Sequence, residues 1–90
     1  MISLSNRAGN DLDSIINFGL AVTVDYYTAL EKCFETLDKN PDLGTKVDHI
    51  RSDYLCFEHR SHLIFYKKNS DGIFIVRIIH KSMDVQTHIS

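Results

Sequence analysis

The spacing of hydrophobic residues changes once along the chain, close to Gly44. Upstream of this point, apolar residues recur every three or four positions, which is typical of helices that bury one face. Downstream they form dense runs of β-branched and aromatic residues, which are typical of strands. The pattern predicts helices in the first half of the chain and a sheet in the second half.

The first half begins with a short strand and a helix. Ile2 and Leu4 alternate with a serine and predict a strand at the periphery of the sheet. A helix is predicted over residues 6–20, with Ser5 or Asn6 as its N-cap. Its expected buried stripe consists of Leu12, Ile15, Ile16 and Leu20.

A second helix is predicted over residues 23–39, and the two helices should form a hairpin. Thr23 is the expected N-cap of this helix. Asn40 should end it, because the residue before a proline is pushed away from helical geometry. Its expected buried stripe consists of Tyr26, Tyr27, Leu30, Cys33, Phe34 and Leu37.

The strongest local pattern is a β-hairpin near the carboxyl terminus. Residues 62–68 and 73–80 flank four turn formers, with Gly72 placed to take a positive φ. A preceding strand is expected at residues 54–57. Both faces of the last strand are mostly apolar, so this strand should lie inside the sheet with partial cover on both sides. Strict alternation places Phe74, Val76, Ile78 and His80 on one face, and Ile73, Ile75, Arg77 and Ile79 on the other.

These elements follow one another in the order β-α-α-β-β-β. Helices followed by strands, without βαβ alternation, are typical of the α+β class. The predicted fold is an antiparallel sheet with an α-helical hairpin packed on one face. A chain of 90 residues with 43% hydrophobic content suits a single domain over residues 1–90.

Composition and charge narrow the function classes. The sequence has neither 18 consecutive apolar residues nor a basic-then-apolar leader, so we expect no membrane span and no secretory signal. Cys33 and Cys56 are too few for a disulfide framework, and we expect reduced thiols in a cytoplasmic protein. Residues 1–50 carry a net charge of −4 and residues 51–90 a net charge of +2. This balance does not favour a general nucleic-acid binder.

Several polar residues could carry chemistry. Two histidines at positions 59 and 62 form an HxxH pattern. A zinc site needs about four converging ligands, so we expect solvated histidines and no metal or cofactor. Arg77 is a lone cation between two isoleucines, and it should either pair with a carboxylate such as Asp84 or meet an anionic partner. With such a pair, His80 and Met83 would close the end of the sheet. A ribonuclease site would instead use Tyr66, Arg77, His80 and Lys81.

The sequence resembles the ParE toxins, within the RelE/ParE group of bacterial toxin–antitoxin systems. The resemblance covers most of the chain and is densest at its carboxyl end. Leu55 follows Tyr54 where many relatives carry a basic residue, and the chain is less basic than relatives often are. The matching pieces are Ala8-x-x-Asp11-Leu12-x-x-Ile15, Asn40-Pro41-x-x-Gly44, Ile50-Arg51, Tyr54, His62-x-Ile64-Phe65-Tyr66 and Arg77-Ile78-Ile79-His80-x-Ser82-Met83-Asp84.

The resemblance implies a toxin of a type II, plasmid-stabilisation kind of system. Such a toxin would inhibit DNA gyrase, through its A subunit, and be neutralised by a ParD-type antitoxin. It would have no catalytic residue of its own, and Arg77 would lie near an acidic antitoxin residue. A ribosome-dependent mRNA endonuclease of the RelE type and an inactive relative remain as alternatives. The candidate contact residues for antitoxin or target are Tyr54, His62, Tyr66, Arg77, His80, Met83 and Asp84.

Overall fold

The computed structural model describes residues 1–18 and 24–89 and has the predicted α+β architecture. Two long helices precede the main strands, and a short helix ends the described chain. The elements are β1 (Ile2–Leu4), α1 (Asn6–Phe18), α2 (Val24–Lys39), a 3-10 turn (Pro41–Leu43), β2 (Thr45–Lys46), β3 (Leu55–His59), β4 (His62–Asn69), β5 (Gly72–His80) and α3 (Val85–Ile89).

The described helix ends follow the predicted capping chemistry. The Ser5 hydroxyl accepts a hydrogen bond from the Ala8 amide at 3.0 Å, so Ser5 is the N-cap of α1. The same hydroxyl donates to the Val76 carbonyl at 2.6 Å, which fixes the start of α1 against β5. Helix α2 ends at Lys39, as the Asn40–Pro41 pair predicts. The predicted cap Thr23 and the predicted helix end at Leu20 lie outside the described residues.

The five strands form one sheet in the order β1-β5-β4-β3-β2. Strand β1 runs parallel to β5, and every other pair is antiparallel. The sheet is therefore mainly antiparallel, as predicted, and its one parallel strand among the described residues, β1, is peripheral, also as predicted. Strand β2 was not predicted because it has only two residues, both exposed, and shows no alternation. Strand β3 is shifted towards the turn relative to the predicted residues 54–57.

The hairpin of β4 and β5 is confirmed, with a two-residue turn between Asn69 and Gly72. The Asn69 side chain accepts a hydrogen bond from the Asp71 amide at 3.0 Å and stabilises this turn. Gly72 has a φ of +147°, a conformation that residues with a Cβ rarely adopt. A Cβ here would also contact the backbone of Met1, so β1 packs where a side chain would otherwise lie.

A β-bulge at Val76 reverses the faces of the sheet to which the later side chains of β5 point. Phe65 pairs with Arg77, whereas its neighbour Tyr66 pairs with Ile75, so Val76 has no counterpart on β4. As a result Ile75 and Ile78 both belong to the core on the helix side, and strict alternation along β5 is wrong beyond Val76.

The sheet has an apolar core on each face. The helix-side core packs residues of α1 and α2 onto the sheet, and the far-side core lies under the segment after β2 and under α3. Ile16, predicted to be buried, is 42% exposed. No helix of the described residues is long and apolar enough to cross a membrane. The buried helix-side residues are Ala8, Leu30, Cys33, Phe34, Leu37, Leu55, Ile64, Tyr66, Ile73, Ile75 and Ile78; those of the far side are Val47, Phe65, Ile79 and Ile89.

Candidate functional site

Arg77 is held by Asp11 in a nearly buried ion pair. Its Nε and Nη2 atoms donate to the two carboxylate oxygens at 2.7 and 2.9 Å. The side chains are only 11% and 15% exposed. The hydrogen bonds with Asp11 raise the pKa of Arg77 above its already high value. The prediction that Arg77 pairs with a carboxylate is confirmed, but this carboxylate is Asp11 of α1 and not the suggested Asp84.

Asp11 also completes the edge of β5. Strand β1 accompanies β5 only as far as the pair of Leu4 with Ile75. Beyond that point the Ile78 amide donates to the Asp11 carboxylate at 3.0 Å. One carboxylate thus neutralises a buried cation and accepts a backbone hydrogen bond that a longer β1 would have accepted.

Tyr66 is fully buried and joins the sheet to the segment after α2. Its hydroxyl donates to the Pro41 carbonyl at 2.7 Å and accepts from the Gly44 amide at 2.9 Å. Burial raises the pKa of Tyr66. A Cβ on Gly44 would lie 2.8 Å from the Tyr66 ring, so glycine permits this approach. These contacts make Tyr66 a structural residue in the described fold.

Three histidines form a row across three strands at one end of the sheet. His59 of β3 pairs with His62 of β4, which in turn pairs with His80 of β5. We call these three residues the histidine row. The ring centroids of His62 and His80 are 5.6 Å apart. The Tyr26 hydroxyl of α2 shares a hydrogen bond of 2.5 Å with His62 Nδ1.

His59 and His62 of the histidine row are partly buried, and the row lies beside a cation. Burial, followed by the charge of Arg60, lowers the pKa of His59. Burial, followed by the charges of His80 and His59, lowers the pKa of His62. The Arg60 guanidinium lies 5.5 Å from the Tyr26 ring centroid. This arrangement favours neutral imidazoles at His59 and His62 near neutral pH.

The segment from His80 to Asp84 presents exposed side chains beside this row. His80 Nδ1 accepts a hydrogen bond from the Ser82 amide at 3.1 Å. The Lys81 amide donates to the Ser61 carbonyl at 2.9 Å, which joins the end of β5 to the β3–β4 turn. Met83 is 45% exposed. The Asp84 carboxylate accepts from the Thr87 hydroxyl at 2.8 Å, within the first turn of α3.

Tyr54 lies apart from this segment and packs against the far-side core. The Lys67 ammonium is 5.9 Å from its ring centroid. Tyr54 also lines a cleft of about 370 Å³ that sequence reasoning missed, because its residues are scattered along the chain. The cleft is lined by Lys46, Asp48, Asp53, Tyr54, Leu55, Lys67 and Lys68.

The structure therefore separates the seven predicted contact residues into three groups. His62, His80, Met83 and Asp84 gather near the carboxyl end of β5. Tyr66 and Arg77 belong to the interior, and Tyr54 lies on the far side of the sheet. Sequence reasoning missed the roles of Asp11, Tyr26 and His59, although Asp11 and the HxxH pattern were noted.

Within residues 1–18 and 24–89, no group of three histidine, cysteine or carboxylate side chains is arranged to hold a metal ion. Cys33 and Cys56 are free thiols. Burial, followed by the charge of Glu58, raises the pKa of Cys56 to about 11, so this thiol is largely protonated at neutral pH.

Two helices on one face of a five-stranded mixed sheet are consistent with the RelE/ParE-like fold. A protein-family model described as the ParE toxin of the type II toxin–antitoxin system, parDE, matches residues 2–85. The chain therefore belongs to the ParE toxin family and is a toxin of a type II toxin–antitoxin system, a class that implies an antitoxin partner of the ParD kind. No curated protein sequence matches the chain.

Proposed function

We propose that this toxin inhibits DNA gyrase by binding it, without catalysing a reaction of its own, and that a ParD-type antitoxin neutralises it. The proposal that the toxin has no catalytic site rests on the positions of Tyr66 and Arg77, two of the four residues that a ribonuclease site would use. Tyr66 is fully buried and bonded to Pro41 and Gly44, and Arg77 is bonded to Asp11. Neither side chain is presented to an RNA phosphate.

Exposed residues at the end of β5 are the better candidates for contact with gyrase. His80, Met83 and Asp84 are exposed side chains on one short segment. The hydrogen bond from the Lys81 amide to Ser61 holds this segment on the β3–β4 turn. A segment so held presents its side chains with little loss of conformational entropy on binding.

Two apolar clefts beside α2 support binding of an antitoxin segment. One, of about 250 Å³, lies between α2 and β3, and the other, of about 200 Å³, lies between α2, α1 and β1. Apolar anchors from a segment that becomes ordered on binding would fill them. Arg77 is occupied by Asp11 in the free chain, so a direct contact between Arg77 and an acidic antitoxin residue would require this pair to rearrange.

The experiment compares two activities of the purified toxin. We expect inhibition of gyrase supercoiling with accumulation of cleaved DNA–gyrase complexes, and no cleavage of mRNA on translating ribosomes. Adding the antitoxin encoded beside the toxin should restore supercoiling. Ribosome-dependent mRNA cleavage with normal supercoiling would overturn the proposal and favour the endonuclease alternative. Loss of both activities in a folded protein would identify an inactive relative.

A further inference from the structure

His59 and His62 of the histidine row have no part in the proposed contact with gyrase, and no metal site is formed among the described residues, yet the row is a constructed feature of the fold. Its three members come from β3, β4 and β5 and are direct cross-strand neighbours. All three lie on the helix side of the sheet, where Tyr26 of α2 contacts two of the rings, at centroid distances of 6.0 and 5.7 Å. His59 Nε2 is buried and has no hydrogen-bond partner among the described residues. A buried polar atom without a partner requires an explanation.

We propose that the histidine row is a proton-sensitive contact, which holds the β3–β4 turn and the end of β5 against α2 while the imidazoles of His59 and His62 are neutral. In the neutral state the Tyr26 hydroxyl and His62 Nδ1 form one hydrogen bond, with one group donating and the other accepting. Rings of neutral imidazole also pack edge to face without electrostatic penalty. Protonation of His62 would place a positive charge against the His80 ring, at a centroid spacing of 5.6 Å.

The surroundings of the row do not offset added positive charge. Arg60 already lies over the Tyr26 ring on the same side. The nearby carboxylate, Glu58, is engaged with the Lys81 ammonium at 3.0 Å. Protonation of one imidazole therefore disfavours protonation of the next. The described titratable and charged groups that surround the row are Tyr26, Lys32 and Cys33 of α2, Glu58 of β3, Arg60 of the turn, and Lys81 after β5.

The direction of the pH effect follows from the two lowered pKa values. An imidazole in the unfolded chain has a pKa of about 6.5. Those of His59 and His62 are lower in the folded chain, mainly because of burial. As the pH falls below about 6.5, the unfolded chain binds more protons than the folded chain, and folding stability decreases. The loss continues until the pH has passed through the lowered folded-state values.

The test compares urea unfolding at pH 7.5 and pH 5.5 for the complete chain and two variants. This range lies above the ordinary pKa values of aspartate and glutamate, at about 4. The midpoint of the native chain should fall on acidification. His62→Gln should reduce that fall by about half or more, because glutamine keeps a hydrogen-bonding group without a titrating one. His49→Gln is the matched control, since His49 is exposed and outside the row, and it should retain the native fall.

An equal fall in the native chain and His62→Gln would overturn the proposal, as would an equal reduction in both variants. If His62→Gln does not fold, NMR titration of the native histidine rings decides the question. His59 and His62 should then titrate below about 6.5, with chemical-shift changes in the amides of Tyr26 and Ser61. Titration of both rings at or above that value would contradict the proposal.

Discussion

Replacing Asp11 with alanine should destabilise the fold by about 3–5 kcal/mol, because it removes the carboxylate that is bonded to the nearly buried guanidinium of Arg77. The same change removes the acceptor of the Ile78 amide, and an unsatisfied buried donor costs about 1–3 kcal/mol. The two costs share one carboxylate and overlap. The larger range is therefore the expected total, a substantial part of the stability of a small domain.

The measurement is equilibrium urea unfolding of the native chain, Asp11→Ala and Asp13→Ala. Asp13 lies on the same helix and is exposed, so Asp13→Ala should change the free energy of unfolding by less than about 0.5 kcal/mol. A loss below about 1 kcal/mol for Asp11→Ala would refute the argument, because a nearly buried guanidinium that has lost this carboxylate cannot be that well tolerated. The double variant Asp11→Leu with Arg77→Met removes both charges and should recover much of the loss.

Two further substitutions test other parts of the structure. Tyr66→Phe should cost about 1–3 kcal/mol in urea unfolding, because the Gly44 amide and the Pro41 carbonyl lose their shared partner; an unchanged midpoint would show that water replaces the hydroxyl. Ala29→Arg should weaken antitoxin binding at least about tenfold in a calorimetric titration, because the new side chain fills the cleft between α2 and β3. Thr28→Arg, at an exposed neighbouring position, should not weaken it, and equal effects of the two would contradict a role for the cleft.

The elements that could be predicted from the sequence have local causes. The β4–β5 hairpin depends on a turn whose residues are adjacent, and the end of α2 depends on one proline. Helix α1 depends on a capping serine whose hydroxyl accepts a hydrogen bond from the amide three residues further along the chain. Each of these contacts is specified within a few positions, so residue types and spacing are sufficient.

The missed features depend on contacts between distant residues or on interchangeable side chains. Around Val76 the residues of β5 are apolar and could point to either face of the sheet. The β-bulge therefore does not change the hydrophobic pattern of the sequence, and the pattern does not predict it. The partner of Arg77 is 66 residues away, and residue type alone does not choose between Asp11 and Asp84. The resemblance makes Tyr66 a contact candidate, but its burial depends on the segment after α2, which packs over it. Predicting the histidine row requires the strand register, although the HxxH pattern contains two of its members.

The most direct test of the central claim measures gyrase supercoiling with Met83→Ala and Leu43→Ala toxins. Met83 is 45% exposed at the proposed contact segment, and Leu43 is a matched control, 50% exposed, on the 3-10 turn. Both variants should keep the native circular dichroism and bind the antitoxin. We predict that Met83→Ala inhibits gyrase at least about tenfold more weakly than the native toxin, whereas Leu43→Ala inhibits it equally well. Equal inhibition by the native toxin and Met83→Ala would contradict the claim that the end of β5 contacts gyrase.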